Sequence, residues 1–414
     1  MARPKAPNPR DNFASIRLTA EERADMEGAA DEMGFTSLSE YVRYLHHRVQ
    51  PAQGLDVLRT ESARDNPREA IREFHKTALG TIYHGNSLSY LHNVAQEKSV
   101  DLIMTSPPFG LVRKKSYGNE DANWYCDWFR PFAEGFRRVL KDDGSLVIDI
   151  GGAWMPGKPT RSLYHFKLLV MLVEEFGFHL CQEHYWWNPS KLPTPAEWVN
   201  IRRVRVKDAV NTVWWLSPTP FPKANNRRIL APYSSSMKDL LKNGYTAKLR
   251  PSGHNISDKF SKDNGGSVPP NLLAIANTES NGTYQDYCRA MDLPIHPARF
   301  PSQLPEYFIR FLTSPGDLVV DPFGGSCVSG AVAESMGRRW SCIDLSEEYL
   351  KGAIGRFSPV ALQSVKDRSA PYTINQPCAL PVNDYDVPLV ENGGRTRSAN
   401  MANLMDEAAD IAAE

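Results

Sequence analysis

Val100-Asp101-Leu102-Ile103-Met104-Thr105-Ser106-Pro107-Pro108-Phe109-Gly110 decides how this chain is read. The apolar run predicts a buried parallel strand that stops at two prolines. Such an end presents a hydroxyl, a carbonyl and an aromatic ring at one lip. Neither proline has an N–H, so the local backbone offers acceptors. These groups suit an exocyclic amine on a flat ring. Ser106 bonds the amine, the Pro107 carbonyl accepts its second proton, and Phe109 stacks on the ring. Pro-Pro also ends strands in ordinary loops, so the stretch gains its meaning from a second one far downstream.

That second stretch is Gly316-Asp317-Leu318-Val319-Val320-Asp321-Pro322-Phe323-Gly324-Gly325-Ser326-Cys327. A short apolar strand again ends on an acid, followed by a glycine-rich turn and a helix predicted to begin near Val328. The glycines allow backbone to approach a ligand closely. The next strand, Trp340-Ser341-Cys342-Ile343-Asp344, ends on an acid about 20 residues past the turn, a place suited to a ribose diol. The turn is not GxGxxG, and no lysine follows to hold phosphate. An acid at this loop favours a cofactor with a cationic amino-acid end, which S-adenosylmethionine has.

Together, Ser-Pro-Pro-Phe and Asp-Pro-Phe-Gly-Gly-Ser resemble the amino-methyltransferases of DNA. In their beta class the catalytic motif precedes the cofactor motif. The likeness runs through Leu111–Asn119, Asn188-Pro189-Ser190-Lys191-Leu192-Pro193, Asp208–Trp215, Phe260–Ser267 and His296-Pro297-Ala298-Arg299-Phe300-Pro301, within roughly 80–357. It implies a doubly wound, Rossmann-like α/β sheet with S-adenosylmethionine as methyl donor. Ser106, Pro107, Pro108 and Phe109 would be catalytic. Asn86, Thr105, Pro301, Asp321, Pro322, Phe323, Gly324, Gly325, Ser326 and Asp344 would hold the cofactor, Pro297 and Phe300 lining its methionine end. Relatives usually carry an acid where Asn86 stands, and glycine or asparagine where Cys327 stands. Serine at 106, where adenine enzymes usually carry aspartate or asparagine, implies cytosine N4. A closer likeness to one cytosine-N4 member of that class implies CAGCTG as the target, and the class implies a restriction-modification setting, with a cognate endonuclease as a partner.

Composition bounds these readings. The 48 Lys+Arg balance 48 Asp+Glu, so nothing global announces nucleic acid. The distribution does: between Ser190 and Asp263 there are fourteen Lys/Arg against five Asp/Glu. That excess predicts phosphate contacts, with Lys191, Arg202, Arg203 and Arg205 as candidates. Arg113, Lys114 and Lys115 join them beside the catalytic loop. The alternative is a solvated basic face. The six cysteines form no CxxC or zinc spacing, which predicts a reduced cytoplasmic setting without a structural metal. No apolar run is long enough to cross a membrane.

Residues 1–50 read as a ribbon-helix-helix-like unit for DNA binding or dimerisation. Phe13–Leu18 alternates as a strand, with Arg17 and Ser15 facing outward. Thr19 and Glu22 make a capping box, Gly34 stops the helix, and Ser37 or Ser39 caps a second. Residues 51–78 read as a linker with a helical part over Pro67–Phe74. The methyltransferase domain spans 79–357. Its alternating strands and helices, among them helices at Trp124–Leu140 and Leu163–Phe176, predict the doubly wound sheet. Residues 190–295 break the rhythm and read as an inserted target-recognition region, and 358–414 as a disordered tail.

The predicted chemistry is direct transfer to a base flipped out of the duplex. A cytosine-C5 enzyme needs a cysteine nucleophile, and the single Pro-Cys pair, Pro377-Cys378, lies in the tail, so that chemistry is excluded. An adenine-N6 enzyme remains as an alternative. So does a DNA-binding regulator built on residues 1–50, or transfer to an RNA or protein amine.

Overall fold

The computed structural model describes residues 20–32, 38, 71–110, 122, 124–155, 157–244, 262–278, 282–358 and 361–363. The chain divides into two units, Met1–Ala63 and Arg64–Glu414. In the first, helix α1 (Ala20–Glu32) occupies the expected place, with an Arg23–Glu27 ion pair one turn apart. The expected strand at 13–18, Arg17 and the Thr19 cap lie outside the described residues.

The second unit is organised by a nine-stranded sheet, β1 (Arg72–Lys76), β2 (Gly80–His84), β3 (Val100–Thr105), β4 (Leu140–Ile150), β5 (His179–Trp187), β6 (Val210–Ser217), β7 (Leu272–Ala274), β8 (Leu318–Asp321) and β9 (Arg339–Asp344). The order is β1-β2-β9-β8-β3-β4-β6-β5-β7. β2, β9, β8, β3 and β4 run parallel, while β6 returns antiparallel between β4 and β5. Every residue of β3 is buried, as a central strand of a parallel sheet requires. Its side chains alternate between two cores. Ile103 joins Leu146, Ile148, Trp214 and Leu216 on one face, while Leu102 and Met104 join Val147, Val213 and Val319 on the other.

Helix α2 (Tyr125–Val139) packs on the first face. Tyr125, Phe129, Phe132, Phe136 and Val139 recur at helical spacing and are all buried, each burial contributing roughly 1.5–3 kcal/mol. α3 (Tyr164–Glu174) joins it there. Beyond α4 (Ser235–Asn243) and α5 (Thr283–Ala290), helices α6 (Gln303–Leu312) and α7 (Val328–Ser335) cover the second face, and α8 (Glu347–Ala353) follows β9.

Two local expectations are corrected. Arg72–Phe74, expected to be helical, lies in β1, which pairs antiparallel with β2. An edge strand bonded on one side needs no apolar alternation, so its charged sequence hid it. The region 190–295 is not one continuous insert. Val213, Trp214, Trp215 and Leu216 are buried within β6, inside the sheet, and β7 pairs with β5.

Candidate active site

The parallel strands β2, β9, β8, β3 and β4 carry Gly85, Asp344, Asp321, Thr105 and Ile150 at or just past their carboxyl ends. Chain order reverses between β8 and β3, the switch point where open α/β sheets bind ligands. Thr105 Oγ1 donates across it to Asp321 Oδ1 (2.7 Å).

On the β3 side, Ser106 is half-buried and its Oγ donates to Asp149 Oδ2 (3.1 Å). Asn211 Nδ2 donates to the other oxygen of Asp149, at 3.1 Å. Asp149 is 2% exposed. Burial pushes its carboxyl up to about 6, while the bonds from Asn211 and Ser106 and the charge of Lys191 pull it back. Phe109 lies against Gly151: a Cβ there would sit 2.6 Å from Phe109 Cε2 and 3.2 Å from Asn211 Oδ1. Buried Tyr164 donates its hydroxyl to the Gly151 carbonyl. Pro107 is buried and Pro108 half-buried. Ser106, Asp149, Asn211, Gly151 and Phe109 thus form one cluster at the carboxyl ends of β3 and β4. The sequence showed Asp149 only as a strand residue and Asn211 and Tyr164 with no role. The available signal was an acid inside an apolar strand just before Gly151-Gly152.

On the β8 side, Asp321 is 1% exposed. Thr105 Oγ1 and the Phe323 amide (3.2 Å) donate to Oδ1, and Ser329 Oγ donates to Oδ2 (2.7 Å). Burial raises it to about 6 as well. These bonds tie Asp321 and the buried Thr105 into the loop and leave Asp321 Oδ2 with one protein partner, Ser329. Ser87 Oγ donates to the Pro322 carbonyl, and the Phe323 ring packs on Trp128 and Phe132. Gly324 N donates to Ile343 O and Gly325 N to Asp344 Oδ2, both at 2.8 Å. Gly325 has φ +51°, and a Cβ there would lie 2.9 Å from His296 Nε2. Asp344 also accepts from Ser346 N (2.8 Å), which leaves lone pairs on a carboxylate with about four acceptor sites. Asn86 caps the short helical turn after β2, accepting from Leu88 N (2.9 Å). Pro301 is buried just before α6.

Cys327 adopts φ +54° at the start of α7. The left-handed conformation explains why glycine or asparagine is usual there, and the cysteine costs about 1–2 kcal/mol. Arg356 braces the loop from behind, donating Nε to Ser326 O (2.7 Å) and Nη2 to Ser326 Oγ (3.2 Å). His296 and Arg356 had no assigned role in the sequence.

The basic candidates separate. Lys191 is exposed, and its charge reaches Asp149. Arg202 is exposed, paired with Glu197 (2.7 Å) and set over Trp198. Arg203 is exposed. Arg205 is turned inward, with a 24% exposed side chain. Arg113, Lys114 and Lys115 lie outside the described residues. Among the described residues no cluster of three metal-ligating side chains occurs, and no helix is long and apolar enough to cross a membrane.

The N6/N4 DNA methylase family matches residues 100–355. The Type II methyltransferase M.PvuII of Proteus hauseri is 52% identical over 303 residues, 72% of this chain and 90% of that protein. The DNA adenine methyltransferase YhdJ of Escherichia coli (strain K12) is 25% identical over 297 residues, 69% of this chain and 85% of that one. The solved structure of the cytosine-N4-specific PvuII DNA methyltransferase aligns with TM-score 0.57 and 44% identity, across 70% of this chain and 92% of that one.

Proposed function

The chain belongs to the N6/N4 DNA methylase family, and from that premise we propose that it methylates the N4 amine of a flipped-out cytosine in duplex DNA. The observation that carries this reading is the Ser106–Asp149 hydrogen bond of 3.1 Å. Because Ser106 gives its proton to Asp149, its oxygen keeps lone pairs for an amine N–H. The Pro107 carbonyl accepts the other N–H. Held this way, the amine lone pair is drawn out of conjugation with the ring and aimed for in-line attack, so orientation provides much of the acceleration. Phe109 stacks on the base. The new N–C bond would form in place of the donor's S–CH3 bond, whose electron pair stays on sulfur as a neutral thioether, and the amine sheds one proton, which passes through Ser106 Oγ to the Asp149 carboxylate. Asn211 holds that carboxylate still.

S-adenosylmethionine supplies the methyl group as a sulfonium when bound. Asp344, beside the Gly324-Gly325 turn, fits it: its carboxylate accepts two backbone bonds and keeps lone pairs for the ribose. Ser326, Phe323, Pro322, Asn86 and Pro301 complete the cofactor side.

Serine at 106 supports cytosine over adenine, as does 52% identity to M.PvuII against 25% to YhdJ. We take CAGCTG as the target. The protein would act in the bacterial cytoplasm as the modification half of a restriction-modification pair with a cognate endonuclease, dimerising through residues 1–50. Nucleoside mass spectrometry on DNA from expressing cells tests the central claim. N4-methylcytosine is expected, with plasmid resistant to cleavage at CAGCTG. N6-methyladenine would overturn the reading of Ser106, and no methylated base would overturn the function.

Gly151→Ala is expected to push Phe109 aside. Overpacking of this kind costs about 1–3 kcal/mol of stability, so the thermal midpoint should fall by a few degrees, and the displaced ring should slow methyl transfer as well. Measuring kcat well below the lowered midpoint checks it: a slower enzyme that is still fully folded is expected.

A further inference from the structure

Beyond Gly151 and Gly152 the chain turns back in a short hairpin. Trp154 and Arg161 pair across it as an antiparallel bridge, and Met155 N donates to Thr160 O (2.9 Å). Facing it is the loop that follows the turn at Glu197–Ile201 and leads into β6. Arg205, on that loop, sets its guanidinium over the Trp154 ring, 4.0 Å from the centroid. Its Nη1 donates to Pro159 O (2.7 Å). Arg161 Nη2 pairs with Asp208 Oδ1 at 2.7 Å, and Arg205 Nη2 stands 3.9 Å from the same oxygen. A Cβ on Gly152 would lie 2.4 Å from Arg161 Nη1, so Arg161 also presses on the turn.

We infer that Arg205 and Trp154, with Arg161 and Asp208, form a latch that positions the catalytic pair. The inference rests on the proposed methyl transfer. The hairpin follows Gly151, which backs Phe109. The opposing loop enters β6 at Val210, one residue before Asn211, which grips Asp149. Locking the two segments together fixes Asp149 from both its own strand and its neighbour. Arg205 is therefore a positioning residue, and its charge is not held out for a phosphate.

Arginine is required for shape as well as charge. A planar guanidinium stacks on indole while donating from its edge, and an ammonium cannot do both. A phosphate contact behaves differently, since lysine restores it. Losing one makes the slope of log affinity against log salt shallower by about one unit.

Single-turnover transfer to plasmid DNA carrying CAGCTG, with binding of a CAGCTG duplex measured against salt, tests the latch in the full-length protein. Arg205→Ala, Arg205→Lys and Trp154→Leu are each expected to slow transfer about ten-fold or more, with the wild-type salt slope. The double variant Trp154→Leu/Arg205→Ala should be no slower than the singles. Wild-type rates in Arg205→Lys, or a slope shallower by about one unit in Arg205→Ala, would overturn the proposal. If the wild-type protein transfers no methyl group, the proposed function fails by itself. The latch is then decided by thermal unfolding of the same four proteins. Non-additive losses support it, and strictly additive ones overturn it.

Discussion

Ser106→Ala is expected to lower kcat for methyl transfer by about 10²–10³-fold, with the KM for S-adenosylmethionine little changed. The size follows from removing one preorganised hydrogen-bonding group that acts on the reacting atom, a loss of about 2.7–4 kcal/mol. Alanine keeps the strand end and the Pro107 carbonyl but removes the amine's acceptor and its link to Asp149. The cofactor side is spared because Ser106 makes no bond to the 322–326 loop. Steady-state kinetics on CAGCTG DNA checks this. A variant within about three-fold of wild type would remove Ser106 from the chemistry.

Asp149→Asn is expected to cost about 10²-fold in kcat and to erase the acid limb of the pH profile. Burial holds the Asp149 carboxyl at about 6. Below that pH the group is protonated and has no room for the amine's proton, so kcat should fall as pH drops through 6 and level off above it. The sign for stability is the reverse. A carboxyl whose folded pKa is raised binds more protons in the native state between the ordinary carboxylate range and about 6. Its contribution to stability therefore declines as pH rises across that window, and Asp321, also near 6, adds in the same direction. Activity lost at pH 5 is thus not unfolding caused by these two groups. A wild-type kcat that is flat from pH 5 to about 8 would remove Asp149 as proton acceptor.

Arg205 shows what composition leaves out. Its place in a basic stretch says nothing of Trp154, which lies far back in the sequence and meets it only through the fold. β1 was hidden for a related reason: edge pairing is a backbone interaction, and Arg72-Glu73-Phe74-His75-Lys76 carries no pattern that demands it. The β6 segment escaped because Pro, Asn and basic residues surround it on both sides, although Val213–Leu216 is a buried apolar run.

Short contiguous stretches determined much by themselves. Val100–Gly110 and Leu318–Cys327 specify buried strands, a proline-stopped acceptor lip and a glycine turn, because strand burial, missing N–H groups and left-handed backbone are all local properties. Helix α2 was equally legible from its apolar spacing. What only the tertiary structure decided is which distant groups meet. Asp149 faces Ser106 because β3 and β4 pair with Thr105 beside Ile148, and Asn211 reaches Asp149 because β6 returns antiparallel beside β4. Asp321 meets Thr105, Phe323 and Ser329 because β8 pairs with β3 and the loop turns back over both. Strand register is set by the sum of packing over the whole sheet, and no short stretch carries that sum.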